Sequence, residues 1–349
     1  MCLFAVSFAC AISSYAASFD CRLAKSPREK AVCASPQLSA QDSALAAEYA
    51  ALRTQLSPAA FSAVQSDQRG WLSYLDAACP AHPAGDRGTI AVCLRGEYTT
   101  RFKELKLQRT STSTVIYTRA RDFISPGPDK PNPDAFPDDP GFGVYHYSWP
   151  QTDSPDAALT QWNSAVAAYV LALTADDKHP SPTSLDQTAT SDDTVEIDYS
   201  LSGGNAHFLF IEFVDSEYSY GAAHPLTTLR EFNWNLDAHR ELATGDVFTQ
   251  NSGWQTKLTP VALRKLRANA DVRSMLLEEE LPAGILAAWK DARQWTIAPS
   301  GLTVRYGQYQ VAAYAAGLPS ISFTWASLKP YLNPAFRPED LPNVRKSSF

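Results

Sequence analysis

The chain has 349 residues and a formal net charge of −7, so it is long enough to bury more than one hydrophobic core. Its basic and acidic side chains are unevenly placed: residues 18–109 carry 12 and 9 of them, whereas residues 110–349 carry 18 and 28. An acidic second part lacks the basic face that nucleic acid requires and favours a basic protein partner, although solubility alone also explains such an imbalance.

Residues 1–17 are predicted to be an export signal. The stretch "MCLFAVSFACAISSYAAS" has no charged side chain and ends in small residues, which places a cleavage site near Ala16 or Ala17. The apolar run is short for a membrane span and no long apolar segment follows it, so the chain is not expected to span a membrane. Ser7, rather than leucine, stands three residues before Cys10, which disfavours a lipid anchor. The expected location is the periplasm or the outside of the cell.

Four cysteines remain after the predicted signal, and all lie in the first quarter of the chain: Cys21, Cys33, Cys79 and Cys93. An even set confined to one exported module indicates disulfide bonds, although four cysteines allow three pairings. No two of them are spaced as CxxC, so a zinc site is not predicted.

Residues 18–109 are predicted to form a small all-α domain. In "SAQDSALAAEYAALRTQL" the apolar residues recur at helical spacing, and Ser39 and Asp42 stand at the spacing of a capping box. The next helix is predicted to begin at Pro58 with Ser57 as its N-cap, and a last helix spans roughly residues 89–107. Helices this short enclose a small core, so disulfide bonds would add useful stability.

The hydrophobic period changes from helical to alternating after "RTSTST", residues 109–114, which marks a domain boundary. The predicted strands are "STVIYTRARDF", "TVEIDYSLS", "HFLFIEFVDSEYSY", "LTTLREFNWNL", "WTIAPSGLTVRYG" and "SISFTWASL". A long loop rich in Pro and Gly is predicted at residues 125–143, and helices at residues 156–175 and 259–277. Strands interrupted by two helices predict an α+β domain with a mostly antiparallel sheet over residues 110–335, followed by a tail, 336–349.

No motif for catalysis or metal binding stands out in the sequence. The six histidines are dispersed, and the HExxH, GxSxG, P-loop and GxGxxG patterns are all missing. Glu278–Glu280 could supply a pair of carboxylates, but a run of three at a helix end is typical of a solvated surface. His224 in "SYGAAHP" could shape a loop, contact a partner or act in catalysis. Because no base, nucleophile or metal ligand adjoins it, binding is favoured over turnover.

The helical part resembles the N-terminal domain of the LprI family of lysozyme inhibitors. The resemblance is carried by "SFDCRLAKSPREKAVCASPQLSAQDSALAAEYAAL", "QSDQRGWLSYLDAAC" and "CLRGEYTTRFKEL", which together cover nearly all of residues 18–107. By the pattern of that family, Cys21 pairs with Cys33 and Cys79 pairs with Cys93.

The second part resembles the RsiV-type extracellular domain, which also occurs in PdaC-type deacetylases beside a catalytic domain. The resemblance spans about residues 115–332 and is carried by "SYGAAHP", "FNWNLDAHRELATGDVF", "WTIAPSGLTVRYGQYQVAAYAAG" and "PSISFTWASLKPYL". The catalytic domain of the PdaC type has no counterpart in this sequence, so the resemblance implies no enzyme activity and no cofactor.

The two resemblances imply one shared partner, because LprI-type proteins inhibit lysozyme and RsiV-type domains bind it directly. The sequence therefore predicts a lysozyme-binding protein that occupies the active cleft of the enzyme. The alternative is a module that binds peptidoglycan or another envelope protein. The predicted partner-binding residues, on two loops rich in tyrosine and glycine, are Tyr218, Tyr220, His224, Pro225, Tyr314, Gly317 and Pro319.

Overall fold

The computed structural model describes residues 17–81, 89–110, 114–126, 141–173 and 193–343. The predicted export signal, most of the predicted loop at 125–143 and the end of the predicted tail lie outside these ranges. In the described ranges, no helix combines the length and the apolarity that crossing a membrane requires.

The first part of the chain is helical, as predicted. Its helices are α1 (Pro27–Ala34), α2 (Pro36–Gln55), α3 (Pro58–Ala81) and α4 (Ile90–Glu104). Ser26 and Glu29 form a capping box at the start of α1, because each side chain accepts a hydrogen bond from the other's backbone N–H. Ser57 Oγ accepts a hydrogen bond from the N–H of Ala60 at 3.3 Å, so the predicted N-cap of α3 is confirmed.

The predicted capping box at Ser39 and Asp42 is wrong, because α2 begins three residues earlier, at Pro36, with Ser35 as its N-cap. Both predicted capping residues are buried inside the helix. Ser39 donates its hydroxyl to the carbonyl of Val32 at 2.9 Å, and Asp42 accepts the hydroxyl of Tyr98 at 3.1 Å. The polar pattern at this position therefore serves packing between helices, not helix initiation.

Two disulfide bonds fasten this helical module, and they join the cysteines that the family resemblance implied. Cys21 pairs with Cys33, which ties the N-terminal segment to α1. Cys79 pairs with Cys93, which joins the end of α3 to α4. Each bond closes a short loop, so each limits the freedom of the unfolded chain locally. Trp71 is buried between the helices against Tyr98.

The second part is an α+β domain with two sheets. Its strands are β1 (Gln108–Arg109), β2 (Val115–Pro126), β3 (Phe142–Thr152), β4 (Thr194–Gly204), β5 (Phe208–Tyr218), β6 (Leu226–Asn235), β7 (Arg240–Glu241), β8 (Trp295–Ala298), β9 (Gly301–Arg305) and β10 (Ser320–Phe323). Its helices are α5 (Ala157–Leu173), α6 (Thr244–Val247), α7 (Trp254–Ala268), α8 (Leu281–Ala288) and α9 (Trp325–Leu328).

The larger sheet has seven strands in the order β1-β2-β3-β4-β5-β6-β7, and the smaller has three in the order β10-β9-β8. Neighbouring strands are antiparallel except β3 and β4, which are parallel and are connected through α5. The prediction of a mostly antiparallel sheet is therefore confirmed, with one parallel pair. β1 begins at Gln108, so the sheet starts just before the predicted boundary.

Several elements differ from the prediction. β3 was missed, although it lies inside the sheet, and α8 was missed as well. The helix predicted at 259–277 begins earlier, at Trp254, and ends at Ala268. The strand predicted in "SISFTWASL" ends at Phe323, where Thr324 caps α9 by accepting the N–H of Ser327. Leu341 is buried against the core of the smaller sheet, so part of the predicted tail belongs to the fold.

The larger sheet is covered on both faces. α5 packs on one face through aromatic residues that include Trp162, Tyr169 and Trp234. The smaller sheet with α7 and α8 packs on the opposite face over β5 and β6, while α3 and α4 of the helical module pack against β2 near the other edge of the sheet. Trp234 and Trp295 are both buried. This arrangement leaves the loops at the two ends of the strands exposed.

Two carboxyl groups are buried between the larger and the smaller sheet. Glu212 on β5 and Glu231 on β6 stand directly opposite each other, and Arg305 on β9 forms an ion pair with Glu212. Thr296 donates its hydroxyl to Glu231 at 2.6 Å. Burial raises the pKa of Glu231 to about 8, and the neighbouring Glu212 adds to the shift. The pair resembles a catalytic acid and base in composition, but its position between the sheets gives it a structural role.

The raised pKa of Glu231 predicts that acid stabilises the fold. Because the folded-state pKa of about 8 exceeds the ordinary value of 4.5, this group's stabilisation is fully present below pH 4.5 and is lost as the pH rises through 8. Glu231→Gln keeps the acceptor for Thr296 without a titrating proton. We expect urea unfolding of the variant to show a shallower loss of stability between pH 5 and pH 9 than the parent. Glu279→Gln, at an exposed position, is the control, and equal pH slopes for parent and Glu231→Gln would contradict this account.

Candidate functional site

The structure brings together the two loops that the sequence singled out. One loop connects β5 to β6 and holds "SYGAAHP"; the other connects β9 to β10 and holds "YAAGLP". The imidazole of His224 stacks on the ring of Tyr314 with centroids 3.5 Å apart and an angle of 13° between the planes. Tyr309 lies beside this stacked pair, with its ring centroid 6.5 Å from that of His224 and 6.2 Å from that of Tyr314, and its hydroxyl is 3.3 Å from His224 Nε2. We call His224, Tyr309 and Tyr314 the aromatic platform.

The first loop holds His224 in place by its backbone. Gly221 adopts a positive φ of 94° in a turn where the N–H of Ala222 donates to the carbonyl of Ser219 at 2.9 Å. Pro225 then returns the chain to an extended conformation at the start of β6. His224 Nδ1 lies 3.2 Å from the carbonyl of Pro225, which can only accept a hydrogen bond. Nδ1 therefore carries the proton, and Nε2 is left to accept the hydroxyl of Tyr309.

The second loop is fastened at several points. Gln308 accepts the backbone N–H of Thr227 through its side-chain oxygen at 3.0 Å, which joins this loop directly to β6. The N–H of Gly307 donates to the side chain of Gln310 at 2.7 Å, and Tyr309 between them has a positive φ of 60°. The N–H of Ala313 donates to the carbonyl of Met275 at 2.8 Å. These bonds hold Tyr309 and Tyr314 without a regular strand or long helix.

The predicted partner-binding residues fall into three groups. His224, Pro225 and Tyr314 lie together at the platform. Tyr218 and Tyr220 pack against each other at the end of β5, with centroids 5.5 Å apart, and Gly317 is exposed at a turn with a φ of 65°. Pro319 must be corrected, because it is buried and its carbonyl accepts the N–H of Tyr306 at 2.8 Å. Its side chain therefore belongs to the fold and not to a contact surface.

Tyr309 is a site residue that the sequence analysis missed. Its side chain is 51% exposed, and nearby Leu226 is 52% exposed at the start of β6. Exposed rings and aliphatic groups that the fold has oriented are typical of contact surfaces in protein complexes. The signal in the sequence was the "YGQYQ" stretch, because a glycine followed by polar residues favours a turn that would expose the tyrosine within it.

Acidic side chains adjoin the second loop. Glu278–Glu280 are exposed, as predicted, and Glu278 forms an ion pair with Arg267 at 2.6 Å. The preceding residue, Leu277, donates its N–H to the carbonyl of Val311 at 3.0 Å. The acidic run therefore begins at the residue after Leu277, which is hydrogen-bonded to the loop that holds Tyr309 and Tyr314.

Ring stacking and hydrogen bonds hold the platform together. His224 is contacted by two tyrosine rings, a phenol hydroxyl and a backbone carbonyl. In the ranges that the structure describes, no group of three or more His, Cys, Asp and Glu side chains is arranged to hold a metal ion. Tyrosine hydroxyls can donate to carboxylates, and stacked rings give a partner a firm apolar surface.

The helical module has an exposed groove of about 580 Å³ where α2 meets α3. Tyr49 and Phe61 line it with ring centroids 5.3 Å apart, and Arg53 and Gln65 add polar groups. The groove therefore offers an aromatic surface on the helical module. This module has more basic than acidic side chains, whereas the part of the chain that holds the platform has more acidic ones.

Two family models match the chain at separate places. Residues 21–106 match the model "Lysozyme inhibitor LprI", and residues 245–326 match "Protein of unknown function (DUF3298)". The chain therefore carries an LprI domain at its N-terminus and a DUF3298 domain in its C-terminal part. The second match contains Tyr309 and Tyr314, whereas His224 lies before it.

The chain is also similar to a curated protein, the peptidoglycan-N-acetylmuramic acid deacetylase PdaC of Bacillus subtilis. The two are 28% identical over 125 residues, which is 35% of this chain. The match covers only 26% of the length of that deacetylase.

Two solved structures of DUF3298 family proteins are similar to the chain. One, from Pseudomonas aeruginosa PAO1, is 16% identical with a TM-score of 0.45, covering 64% of this chain and 95% of the other. The other, from Bacteroides fragilis, is 15% identical with a TM-score of 0.45, covering 66% and 94%.

Proposed function

Because the chain carries an LprI domain followed by a DUF3298 domain, we propose that it is an exported lysozyme-binding protein that inhibits the enzyme by covering its active cleft. The match of residues 21–106 to the lysozyme inhibitor family is the observation that carries this proposal. Two disulfide bonds in the same module support export, because such bonds persist in oxidising compartments.

The platform supplies a contact surface that suits such a partner. Lysozymes cleave glycan with two carboxyl groups in an open cleft. Tyr309 and Tyr314 present phenol hydroxyls beside a histidine that the fold has already positioned, so little side-chain freedom is lost when a partner binds. In the proposed complex, the hydroxyl of Tyr314 donates to a carboxylate of the enzyme, while Tyr309 stays bonded to His224 and its ring helps to exclude the glycan.

Charge supports the same partner. Residues 110–349 carry ten more acidic than basic side chains, and Glu279 and Glu280 are exposed beside the platform loop. Many lysozymes are basic, so long-range attraction would speed their association with this face.

Direct binding tests the proposal. Purified protein, without residues 1–17, is titrated by calorimetry with hen-type, invertebrate-type and goose-type lysozymes at 50 mM and 300 mM salt. We expect one class to bind, with an affinity that falls about tenfold or more at the higher salt because exposed charges are then screened. Failure of all three classes to bind at low salt would refute the proposal, and an affinity that salt leaves unchanged would refute the role of charge.

The second candidate is an envelope-binding module that holds peptidoglycan or another envelope protein without inhibiting lysozyme. The observation that favours it is the similarity to a protein named for its action on peptidoglycan. Sedimentation with purified sacculi, with and without added lysozyme, separates the candidates: an envelope-binding module is expected in the pellet, whereas a protein that covers the cleft of lysozyme is expected to stay in the supernatant in both cases. We propose that the protein itself catalyses no reaction on peptidoglycan. Release of acetate from a muropeptide by this protein would contradict that proposal.

A further inference from the structure

A cluster of charged side chains lies where the helical module meets the larger sheet. The helical module contributes Asp67 and Tyr74 from α3 and Glu97, Arg101 and Glu104 from α4. The sheet contributes Arg119, Arg121 and Asp122 from β2 and His146 from β3. Asp67, Tyr74, Arg101 and Asp122 are buried and the others are partly buried, so each finds its partner inside the interface.

His146 is the group that connects the two modules through both of its ring nitrogens. Its Nε2 lies 3.0 Å from a carboxylate oxygen of Glu104 on α4. Its Nδ1 forms a short ion pair with Asp122, the residue directly opposite it on β2. An ionised carboxylate can only accept, so the carboxylates at the two nitrogens favour a proton on both. The two contacts therefore favour the charged imidazolium form.

The arginines of the cluster are already engaged with other acids. Arg119 donates to both oxygens of Asp67 at 2.6 and 3.1 Å, and Arg121 lies 3.7 Å from the same carboxylate. Arg101 donates to Glu104 at 2.9 Å and to the side chain of Gln68 at 2.9 Å. Among the contacts of the described residues, His146 is thus the cation in contact with Asp122.

More acidic groups face His146 than basic ones. Glu97 on α4 lies near it and accepts the hydroxyl of Tyr74 at 3.0 Å. Glu196 on β4 stands beside His146 in the parallel register of β3 and β4 and is exposed. Removing the proton from His146 would leave these acids with one fewer positive charge between them.

We propose that His146 is a proton-dependent clasp that holds the helical module on the sheet, so that loss of its proton loosens the contact between the modules while each module stays folded. The clasp joins α4 to β2 and β3 without a covalent bond, and the LprI domain lies entirely on one side of it.

The direction of the pH effect follows from the pKa shifts. Burial opposes the charge on His146, but Asp122 and Glu104 outweigh it and raise the pKa of the histidine well above 6.5. A raised histidine pKa gives stabilisation that is complete below pH 6.5 and is lost as the pH rises through the folded-state value. Burial likewise raises the pKa of Glu97 to about 7, so ionisation of this acid also weakens the contact as the pH rises.

At low pH the contact between the modules also weakens, because Glu104 then loses its charge. Burial opposes the charge on Glu104, but His146 and Arg101 outweigh it and lower the pKa of this carboxyl below 4.5. Its stabilisation is therefore present above pH 4.5 and is lost as the pH falls through the folded-state value. The contact between the modules should be firmest in mildly acidic solution.

Amide hydrogen exchange of the intact protein tests the clasp at pH 6 and pH 9, with rates corrected for the intrinsic effect of pH. The reporter is the N–H of Ala120 on β2, which donates to Asp67 across the interface at 3.3 Å. The reference is the N–H of Leu45, inside α2, which reports whether the helical module stays folded. We expect exchange at Ala120 to be about tenfold or more faster at pH 9 than at pH 6, with Leu45 protected at both.

His146→Gln carries no charge at any pH, so exchange at Ala120 should be fast already at pH 6 and should change little at pH 9. His207→Gln is the matched control, because His207 forms an exposed pair with Asp237 at 2.8 Å; it should exchange like the parent. Equal protection of Ala120 in the parent at the two pH values would overturn the proposal even if the His146 variant did not fold. An undiminished pH response in His146→Gln, or the same loss in the His207 control, would overturn it too.

Discussion

Replacing Asp67 by alanine is expected to lower the free energy of unfolding by about 3 kcal/mol, because the change leaves two partly buried arginines and a buried backbone N–H without their partner. Asp67 is 1% exposed, and its carboxylate accepts both guanidinium hydrogen bonds of Arg119 as well as the backbone N–H of Ala120. It thereby also occupies the open edge of β2, where an unpaired strand would otherwise face α3. Urea unfolding followed by circular dichroism measures the effect.

Asp76→Ala provides the matched control for this experiment. Asp76 lies on the same helix and forms an ion pair with Arg28 at 2.8 Å, but its side chain is 44% exposed. Surface ion pairs contribute little, so this variant should lose less than about 1 kcal/mol. Similar losses for the two aspartates would show that Asp67 does not hold the interface in the way its contacts indicate.

Replacing His224 and Tyr314 together by alanine is expected to weaken lysozyme binding about 100-fold, with about a 30-fold loss for each single variant. The two rings stack at 3.5 Å, so removal of either one also leaves the other less well positioned. For that reason the double loss should differ from the sum of the single losses, which a double-mutant cycle measures directly.

His207→Ala is the control for binding. His207 is an exposed histidine just before β5, at the end of this strand that lies away from the loop holding His224. Its affinity should match the parent. Circular dichroism and urea unfolding should show that the platform variants are folded. Unchanged affinity in the folded double variant would move the contact surface elsewhere, with the groove at Tyr49 and Phe61 as the next candidate.

The fold was predictable where one side of an element is buried and the other is exposed. Helices α2, α3 and α4 and strand β4 show that alternation, and each was expected close to its observed position. β3 was not expected, because Phe142–Thr152 contains Pro150 and is buried along both faces toward its end, which removes the alternating pattern. Its neighbour in sequence is the loop at 125–143, whose composition concealed where the strand begins.

The platform was partly predictable and the clasp was not. The two loops of the platform were found through the family resemblance, which brought His224 and Tyr314 into one hypothesis. Tyr309 was missed and Pro319 was included wrongly, because burial within a short loop depends on tertiary contacts such as the Tyr306–Pro319 bond. His146 lies on the strand that was missed, far in sequence from Glu104, so no pattern along the chain could join them.

The most direct test of lysozyme inhibition through the platform is a cell-wall lysis assay with the lysozyme class that binds. Initial rates are measured over a range of cell-wall concentrations, with the parent protein and with the folded His224→Ala/Tyr314→Ala variant. Occlusion of the cleft predicts that the parent raises the apparent KM and leaves kcat unchanged, while the double variant inhibits only at about 100-fold higher concentration. Undiminished lysis in a saturating excess of the parent protein would contradict the account.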